Sequence, residues 1–223
     1  HLNWPWGNKT NSLTWRWLIS PKLVARTFLA NSRYRFDFNF GLQQKGDWRE
    51  GSESGTYNEK FEFDFYDIIN DNTIETELSW HGIANHQIMG GFQIKKVEYD
   101  LGMDFEFETL DTLISLSPLS QKDQTVESSL FLQDKWSLTQ KIVLQLGGRF
   151  MDYSEHDELY FDPRIGFKYL AKEDLSFKLS LGRYHQFLTI ANPEDETWRI
   201  IDFWLGITEE QEAPYSDHYI LGL

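Results

Sequence analysis

Apolar and polar residues alternate with a period of two along most of the 223-residue chain. Residues 142–150 (IVLQLGGRF) place aliphatic and aromatic side chains on one face of an extended backbone and polar or small ones on the other. The pattern recurs at residues 12–19, 74–80, 163–169 and 175–182. The sequence therefore predicts an all-β fold of antiparallel strands, each with one apolar face.

The connections between these segments alternate in length. Short ones lie at residues 20–22, 82–85, 138–140 and 171–174, and longer, mostly acidic ones lie at residues 41–72, 102–123, 154–161 and 189–214. Membrane barrels have short turns at the periplasmic end and long loops outside, whereas a soluble sandwich has no reason to keep every second connection short. The alternation favours a segment of an up-and-down transmembrane β-barrel.

This interpretation gives about nine strands, each long enough to cross a bilayer when tilted. They are predicted near residues 11–19, 23–40, 73–82, 87–101, 124–137, 141–153, 162–171, 174–188 and 215–223. Residues 61–69 (FEFDFYDII) also alternate. We interpret them as part of a structured outer loop, because a further membrane strand would break the alternation of short and long connections.

Large aromatic residues occur near both ends of the predicted strands. Those near short turns are Trp15, Trp17, Trp80 and Trp136, and those near long loops are Tyr34, Phe36, Phe38, Phe40 and Tyr153. Outer-membrane barrels carry an aromatic girdle at each membrane interface, so we predict two girdles. The alternative is the general preference of large aromatic residues for strands.

Composition narrows the classes of protein further. The chain has no cysteine, which removes disulfides and thiolate chemistry, and its formal net charge of -14 argues against a nucleic-acid partner. Its mean hydropathy of -0.51 and the lack of a long apolar run argue against membrane-spanning helices. The alternating strands of a barrel are compatible with both values.

Residues 161–187 (FDPRIGFKYLAKEDLSFKLSLGRYHQF) combine a Pro-Arg start, a short acidic turn and a strand end of SxGRxxQ type. The strand-end residues are Ser180, Gly182, Arg183 and Gln186. This hairpin resembles one from the middle of the barrel of TonB-dependent outer-membrane receptors. Residues 85–101, 128–153 and 216–223 resemble the same family, and together the matching pieces cover about two thirds of the chain.

The resemblance implies a transporter in the bacterial outer membrane and not an enzyme. Its implied partners are outer-membrane lipid and lipopolysaccharide, the TonB complex acting through a plug domain, and a small nutrient of the ferric siderophore, cobalamin or glycan class. The family's barrels have 22 strands and an N-terminal plug, and neither is found in this sequence. Residues 1–223 are therefore expected to be an internal fragment of a barrel domain. The alternatives are a passive porin-like or adhesin barrel and a secreted all-β carbohydrate-binding protein.

Four cations share the polar face of three neighbouring predicted strands. They are Arg149, Arg164, Lys168 and Lys178. A charge on the lipid face costs about 2–4 kcal/mol at mid-membrane, so these side chains are predicted to face the lumen. There they either pair with a plug or pair with lumenal carboxylates such as Glu127.

Candidates for ligand binding lie in the predicted loops, where aromatic and charged side chains provide contact area. They are Trp48, Arg49, Tyr57, Tyr160, Trp198 and Arg199. The alternative for each is packing of the loop against itself. The acidic clusters and histidines of the loops lack the setting of a catalytic or metal site, so we predict no catalytic residue, no bound metal and no cofactor.

Overall fold

The structure is a computed structural model that describes residues 1–191 and 203–223. These residues form twelve strands. They are β1 (Leu2–Asn3), β2 (Trp6–Ser20), β3 (Leu23–Glu50), β4 (Glu53–Trp80), β5 (His86–Glu108), β6 (Leu113–Ser137), β7 (Ile142–Tyr153), β8 (Tyr160–Lys172), β9 (Leu175–His185), β10 (Leu188–Ala191), β11 (Phe203–Gly206) and β12 (Tyr215–Gly222). Across the described ranges, no helix is long and apolar enough to cross a membrane.

Ten of the strands form one antiparallel sheet in which chain neighbours pair with each other. The order runs from β1 and β2, which both pair with β3, through β9 to β12. Strands β10 and β11 form a separate hairpin inserted between β9 and β12. Because β1 and β2 share one position beside β3, the main sheet has nine strand positions. The predicted all-β class and antiparallel up-and-down order are confirmed.

Two hairpins extend much further than the sequence analysis predicted. Strands β3 and β4 are 28 residues each and pair along their whole length, and β5 and β6 have 23 and 25 residues. The prediction of loops at residues 41–72 and 102–123 was wrong, and residues 61–69 form the middle of β4. Residues 61–69 alternate because β4 extends beyond the strand that was predicted at residues 73–82. Gly51, in the turn that joins β3 to β4, has a φ of 63°, a conformation that glycine adopts without steric cost.

The two faces of the sheet differ in polarity near the short connections. We call the face that β11 contacts the inner face and the opposite one the outer face. Large apolar side chains are exposed on the outer face, including Leu29, Ile74, Leu78, Leu130, Leu132, Leu146 and Phe150. Register places Arg149, Arg164, Lys168 and Lys178 on the inner face. This lower part of the sheet has the polarity of a barrel wall with lipid outside.

The aromatic residues divide differently from the two predicted girdles. Trp15, Trp17, Trp80 and Trp136 are exposed near short connections, in register with apolar outer-face residues. The prediction of a second girdle, near the long loops, was wrong. Tyr34, Phe36, Phe38, Phe40 and Tyr153 point to the inner face, because their positions in β3 and β7 have the same parity as Arg26 and Arg149.

Candidate functional site on the inner face

A hydrogen-bonded polar network crosses the lower inner face from β3 to β7. Arg26 Nη2 donates to Glu75 Oε1 at 3.0 Å and to Glu77 Oε2 at 3.2 Å. Gln93 Nε2 donates to Glu75 Oε2 at 2.9 Å, and Arg149 Nη2 donates to Gln93 Oε1 at 3.0 Å. Alternation brings these residues to one face, and strand pairing brings them within reach of one another.

Two arginines of this face have guanidinium groups that are only partly satisfied. Arg149 lies over the ring of Phe131 at 5.6 Å, and Arg164 lies over the ring of Tyr184 at 4.8 Å. The Nε atoms of both arginines are buried and have no hydrogen-bond partner among the described residues. Both side chains line a cavity of about 190 Å³ whose other polar residues are Glu75, Glu77 and Gln133. The cavity is therefore lined by charged and amide side chains that could bind a polar group entering from the interior.

The two lysines among the predicted lumenal cations are less enclosed. Lys168 and Lys178 are directly opposite each other across β8 and β9, and both are exposed. Glu127, considered above as a carboxylate partner for the predicted cations, instead accepts a hydrogen bond from Lys95 at 3.2 Å. Like charges that face each other across strands repel, so an acidic partner would stabilise this pair.

Above the polar network, the inner face becomes apolar. We call the set of Phe36, Phe38, Phe40, Phe61, Phe63, Phe65, Leu101, Met103 and Phe105 the aromatic wall. Its centre is tightly packed: Phe65 is 1% exposed, and the ring centroids of Phe63 and Phe105 are 4.8 Å apart. Burial and aromatic packing both contribute to its stability.

The outer face of the same hairpins carries the polar residues. Glu62 is opposite Glu106 and Asp64 is opposite Asp104, on the face that points away from the wall. Asp64 accepts a hydrogen bond from Asn39 at 2.6 Å. The polarity of the sheet is therefore inverted above the outer apolar band, with aromatic groups inside and acidic groups outside.

The described part of the β10–β11 insertion lies on this inner face. The Phe203 ring meets Phe65 edge-on at 5.0 Å, and the Trp204 N–H donates to Asp67 Oδ2 at 3.0 Å. The Tyr153 hydroxyl donates to the Ile207 carbonyl at 3.0 Å. Beyond β11, a second apolar cluster joins the insertion to β7 and β8, and it consists of Met151, Tyr153, Tyr160, Phe187, Ile207 and Ala213.

Asp67 is the most unusual titratable group of the site. Its side chain is fully buried, with one oxygen bonded to Trp204 and the other without a partner among the described residues. Burial raises the pKa of Asp67 to about 6, and the Trp204 N–H opposes this shift in part. Sequence reasoning missed both Asp67 and the aromatic wall. The alternation of residues 61–69 was the signal for them.

The predicted ligand-binding residues do not form one cluster. Trp48 and Tyr57 have the parity of the aromatic wall, near the tip of the β3–β4 hairpin, while Arg49 points to the opposite face. Tyr160 is 8% exposed, packed between His156 and His185. Trp198 and Arg199 lie outside the described residues. As ligand contacts, all six remain predictions.

In the parts of the chain that the structure describes, no group of three or more His, Cys, Asp or Glu side chains is placed to hold a metal ion. The site therefore consists of the polar network and the aromatic wall. Both are suited to contacts with protein groups or organic ligands.

A polar network on the inner face, opposite an apolar outer face, is the arrangement expected for part of the wall of a membrane barrel. Residues 2–192 match the family described as TonB dependent receptor-like, beta-barrel. The chain belongs to this family of transport receptors, whose members lie in the bacterial outer membrane. Comparison with curated protein sequences gives no significant match.

A solved structure of a transporter shows the same fold at low sequence identity. A structure of the RagAB peptide transporter aligns with a TM-score of 0.58 at 10% identity, over 98% of this chain and 28% of that chain. The siderophore receptor PirA from Pseudomonas aeruginosa aligns with a TM-score of 0.49 at 15% identity, over 96% of this chain and 42% of that one. The chain thus spans less than half the length of either structure.

Proposed function

We propose that this chain is part of the barrel domain of an outer-membrane receptor that binds a scarce nutrient and imports it with energy from TonB. The observation that carries the proposal is the pair Arg149 and Arg164, which line the inner-face cavity and have buried Nε atoms without a partner among the described residues. A folded plug supplies carboxylates and carbonyl groups that bind guanidinium groups.

The bound nutrient is proposed to contact the aromatic wall. Aromatic side chains provide large contact areas at low entropic cost, and the wall lies on the interior side above the polar network. The candidate nutrients are a ferric siderophore, cobalamin or a glycan. The structural likeness to the RagAB peptide transporter adds peptides to these classes. Trp48 and Tyr57, of the same parity nearer the hairpin tip, would extend the contact surface.

Replacing Arg164 with leucine in the full-length receptor tests the contact with a plug. The expected result is a looser plug, measured as a higher ion conductance of the purified receptor in planar lipid bilayers and as lower nutrient uptake by cells. Ile165→Val is the matched control, because Ile165 is the next residue on β8 and is exposed on the outer face. Unchanged conductance and uptake in Arg164→Leu would contradict the plug contact.

The proposed location in the outer membrane and the proposed dependence of uptake on TonB are tested separately. The full-length protein is expected in the outer-membrane fraction, bound to lipid and lipopolysaccharide, with a gel mobility that changes on heating. Uptake should stop in cells that lack TonB. A passive porin would keep its uptake in those cells, and a secreted carbohydrate-binding protein would fold without detergent or lipid.

A further inference from the structure

Strand β11 covers part of the aromatic wall through a small number of contacts. The Phe203 ring lies on Phe65, and Leu205 packs against the same cluster. Among the described residues, one main-chain group of β11 donates to β4, the Trp204 N–H to Asp67 beside the wall at 3.0 Å. The covered wall and the covering strand are both apolar, so the buried carboxylate is the exception in this contact.

Among the described residues, the neighbours of Asp67 carry no charge that would offset its burial. Its cross-strand neighbours are Phe36 on β3 and Leu101 on β5, and β11 presents the Trp204 N–H. The nearest charged inner-face residue along β4 in the described structure is Asp71, which faces Lys95 at 3.8 Å. An ionised Asp67 is therefore costly while β11 is docked. Burial raises the pKa of Asp67 to about 6 although the Trp204 N–H opposes the shift, so covering the carboxyl with β11 favours the uptake of a proton.

A second attachment, made by His156, holds the segment that follows β11. His156 Nε2 is 2.9 Å from the Thr208 carbonyl, which only accepts, so Nε2 must carry hydrogen. His156 Nδ1 contacts the Tyr160 hydroxyl, which is itself 3.1 Å from Glu158 Oε1. The Thr208 carbonyl and the Tyr160 hydroxyl thus contact the two ring nitrogens of His156, which ties the segment after β11 to β8.

Acidic and aromatic groups surround this attachment. Glu158 is joined to it through Tyr160, and Glu212 acts electrostatically on the same tyrosine. The Tyr153 ring meets the imidazole edge-on at 5.4 Å. Glu155 accepts from Ser154 at 2.9 Å within the same connection, which also contains Asp157. His185, on the far side of Tyr160, pairs with Asp162 at 2.6 Å.

We propose that β11 is a proton-dependent cover of the aromatic wall, which docks when Asp67 is protonated and leaves the wall when Asp67 is deprotonated. If the wall is the nutrient site proposed above, the cover makes access to that site depend on pH. The position of β11 can be measured without any import, so failure of the cover and failure of the import function are distinguishable.

The direction and size of the pH effect on docking follow from the pKa of Asp67 with and without β11 in place. Undocked, its carboxyl returns towards the ordinary pKa of 3.8, and docked it has a pKa of about 6. Docking is therefore strongest below about pH 4 and weakens as the pH rises to about 6, by up to about 100-fold. Between pH 5 and pH 7.5 the expected change is about tenfold.

Cysteine labelling measures the docking directly, because these 223 residues contain no cysteine. Leu205→Cys is introduced into the full-length receptor, with any cysteines elsewhere replaced by serine, and its reaction rate with a charged methanethiosulfonate reagent is measured. Leu42→Cys, at a position that is 58% exposed, is the reference that corrects for the pH dependence of the thiol. The ratio of the two rates should be about tenfold lower at pH 5 than at pH 7.5.

Four further variants in the same background separate the causes. Asp67→Asn should give low labelling at pH 7.5, and His156→Gln should raise labelling at both pH values, because it weakens the attachment to Thr208. Asp64→Asn, on the opposite face of β4, should keep the parent profile. Gly206→Val should raise labelling at both pH values, because a Cβ there would come within 2.9 Å of the Tyr153 hydroxyl oxygen.

A parent rate ratio that is the same at pH 5 and pH 7.5 overturns the proposal. So does a folded Asp67→Asn protein that keeps the parent profile. If Asp67→Asn does not fold, the parent profile decides, because the proposal requires labelling to rise mainly between about pH 4 and pH 6.

Discussion

The lower and upper parts of the β3–β6 hairpins have the same strands and the same period of two but opposite polarity. Near the short connections, Leu29 and Ile74 are exposed outside while Arg26 and Glu75 pair inside. Higher on the same strands, aromatic residues such as Phe65 are inside and acidic ones such as Asp64 are outside. Alternation fixes which residues share a face, and the surroundings of the sheet decide which face is apolar.

The two halves are therefore stabilised by different forces. In the lower half, lipid outside excludes polar groups, so the charged side chains turn inward and bind one another. In the upper half, the outer face meets water, and the inner face is stabilised by packing among aromatic rings and with β11. Substitutions should consequently reduce stability most on the inner face in the upper half and most on the outer face in the lower half.

The largest expected effect is in the upper half. Phe65→Ala removes a ring that is 1% exposed and leaves a cavity, which should destabilise the β3–β6 hairpins by about 3–5 kcal/mol. Faster hydrogen exchange in residues 61–69 of the full-length receptor would show the loss. Asp64→Ala, the preceding residue on the outer face, should cost about 1 kcal/mol or less. Equal exchange in both variants would contradict the assignment of the inner face.

In the lower half the outer face should be the sensitive one. Leu132→Arg places a charge among lipid-facing side chains and should lower the free energy of unfolding in lipid vesicles by about 2–4 kcal/mol. Gln133→Arg, on the inner face beside Glu75 and Glu77, should cost much less. The orientation is refuted if Gln133→Arg is the more damaging change in denaturant titrations.

The polar network should show a smaller effect. Glu75→Gln removes the carboxylate that binds both Arg26 and Gln93, so the expected loss is about 1–3 kcal/mol of unfolding free energy. Thr76→Val, on the outer face of the same strand, should be close to neutral. If the polar network did not contribute to stability, the two variants would have equal free energies of unfolding in the same denaturant titration.

The smallest effects should come from ion pairs on the outer surface. Lys96 contacts Glu98 at 2.7 Å, and both side chains are more than 40% exposed, so Lys96→Ala should change stability by about 0.5 kcal/mol or less. Its neighbour Lys95 faces inward and contacts Glu127 at 3.2 Å with 27% of its side chain exposed. Lys95→Ala should therefore be the more costly of the two, and the reverse order would count against the inner network.

Several features of the fold were predictable from local sequence. Period two identified the strands, and short polar segments such as residues 138–140 marked the turns. Parity alone placed Arg149 and Arg164 on one face of neighbouring strands. Local sequence did not show where β3 and β4 end, because a strand that leaves the membrane and continues in water alternates just as it does inside.

By itself, the sequence determined the strands, their order and the residues that share each face, since these follow from the geometry of an extended chain and from short connections. Only the tertiary structure decided which face is inner, that Phe36 and Phe65 belong to one wall, and that Asp67 is buried beneath β11. Asp67 and Trp204 are 137 residues apart. Contacts over such distances depend on the curvature and pairing of the whole sheet, which local alternation does not specify.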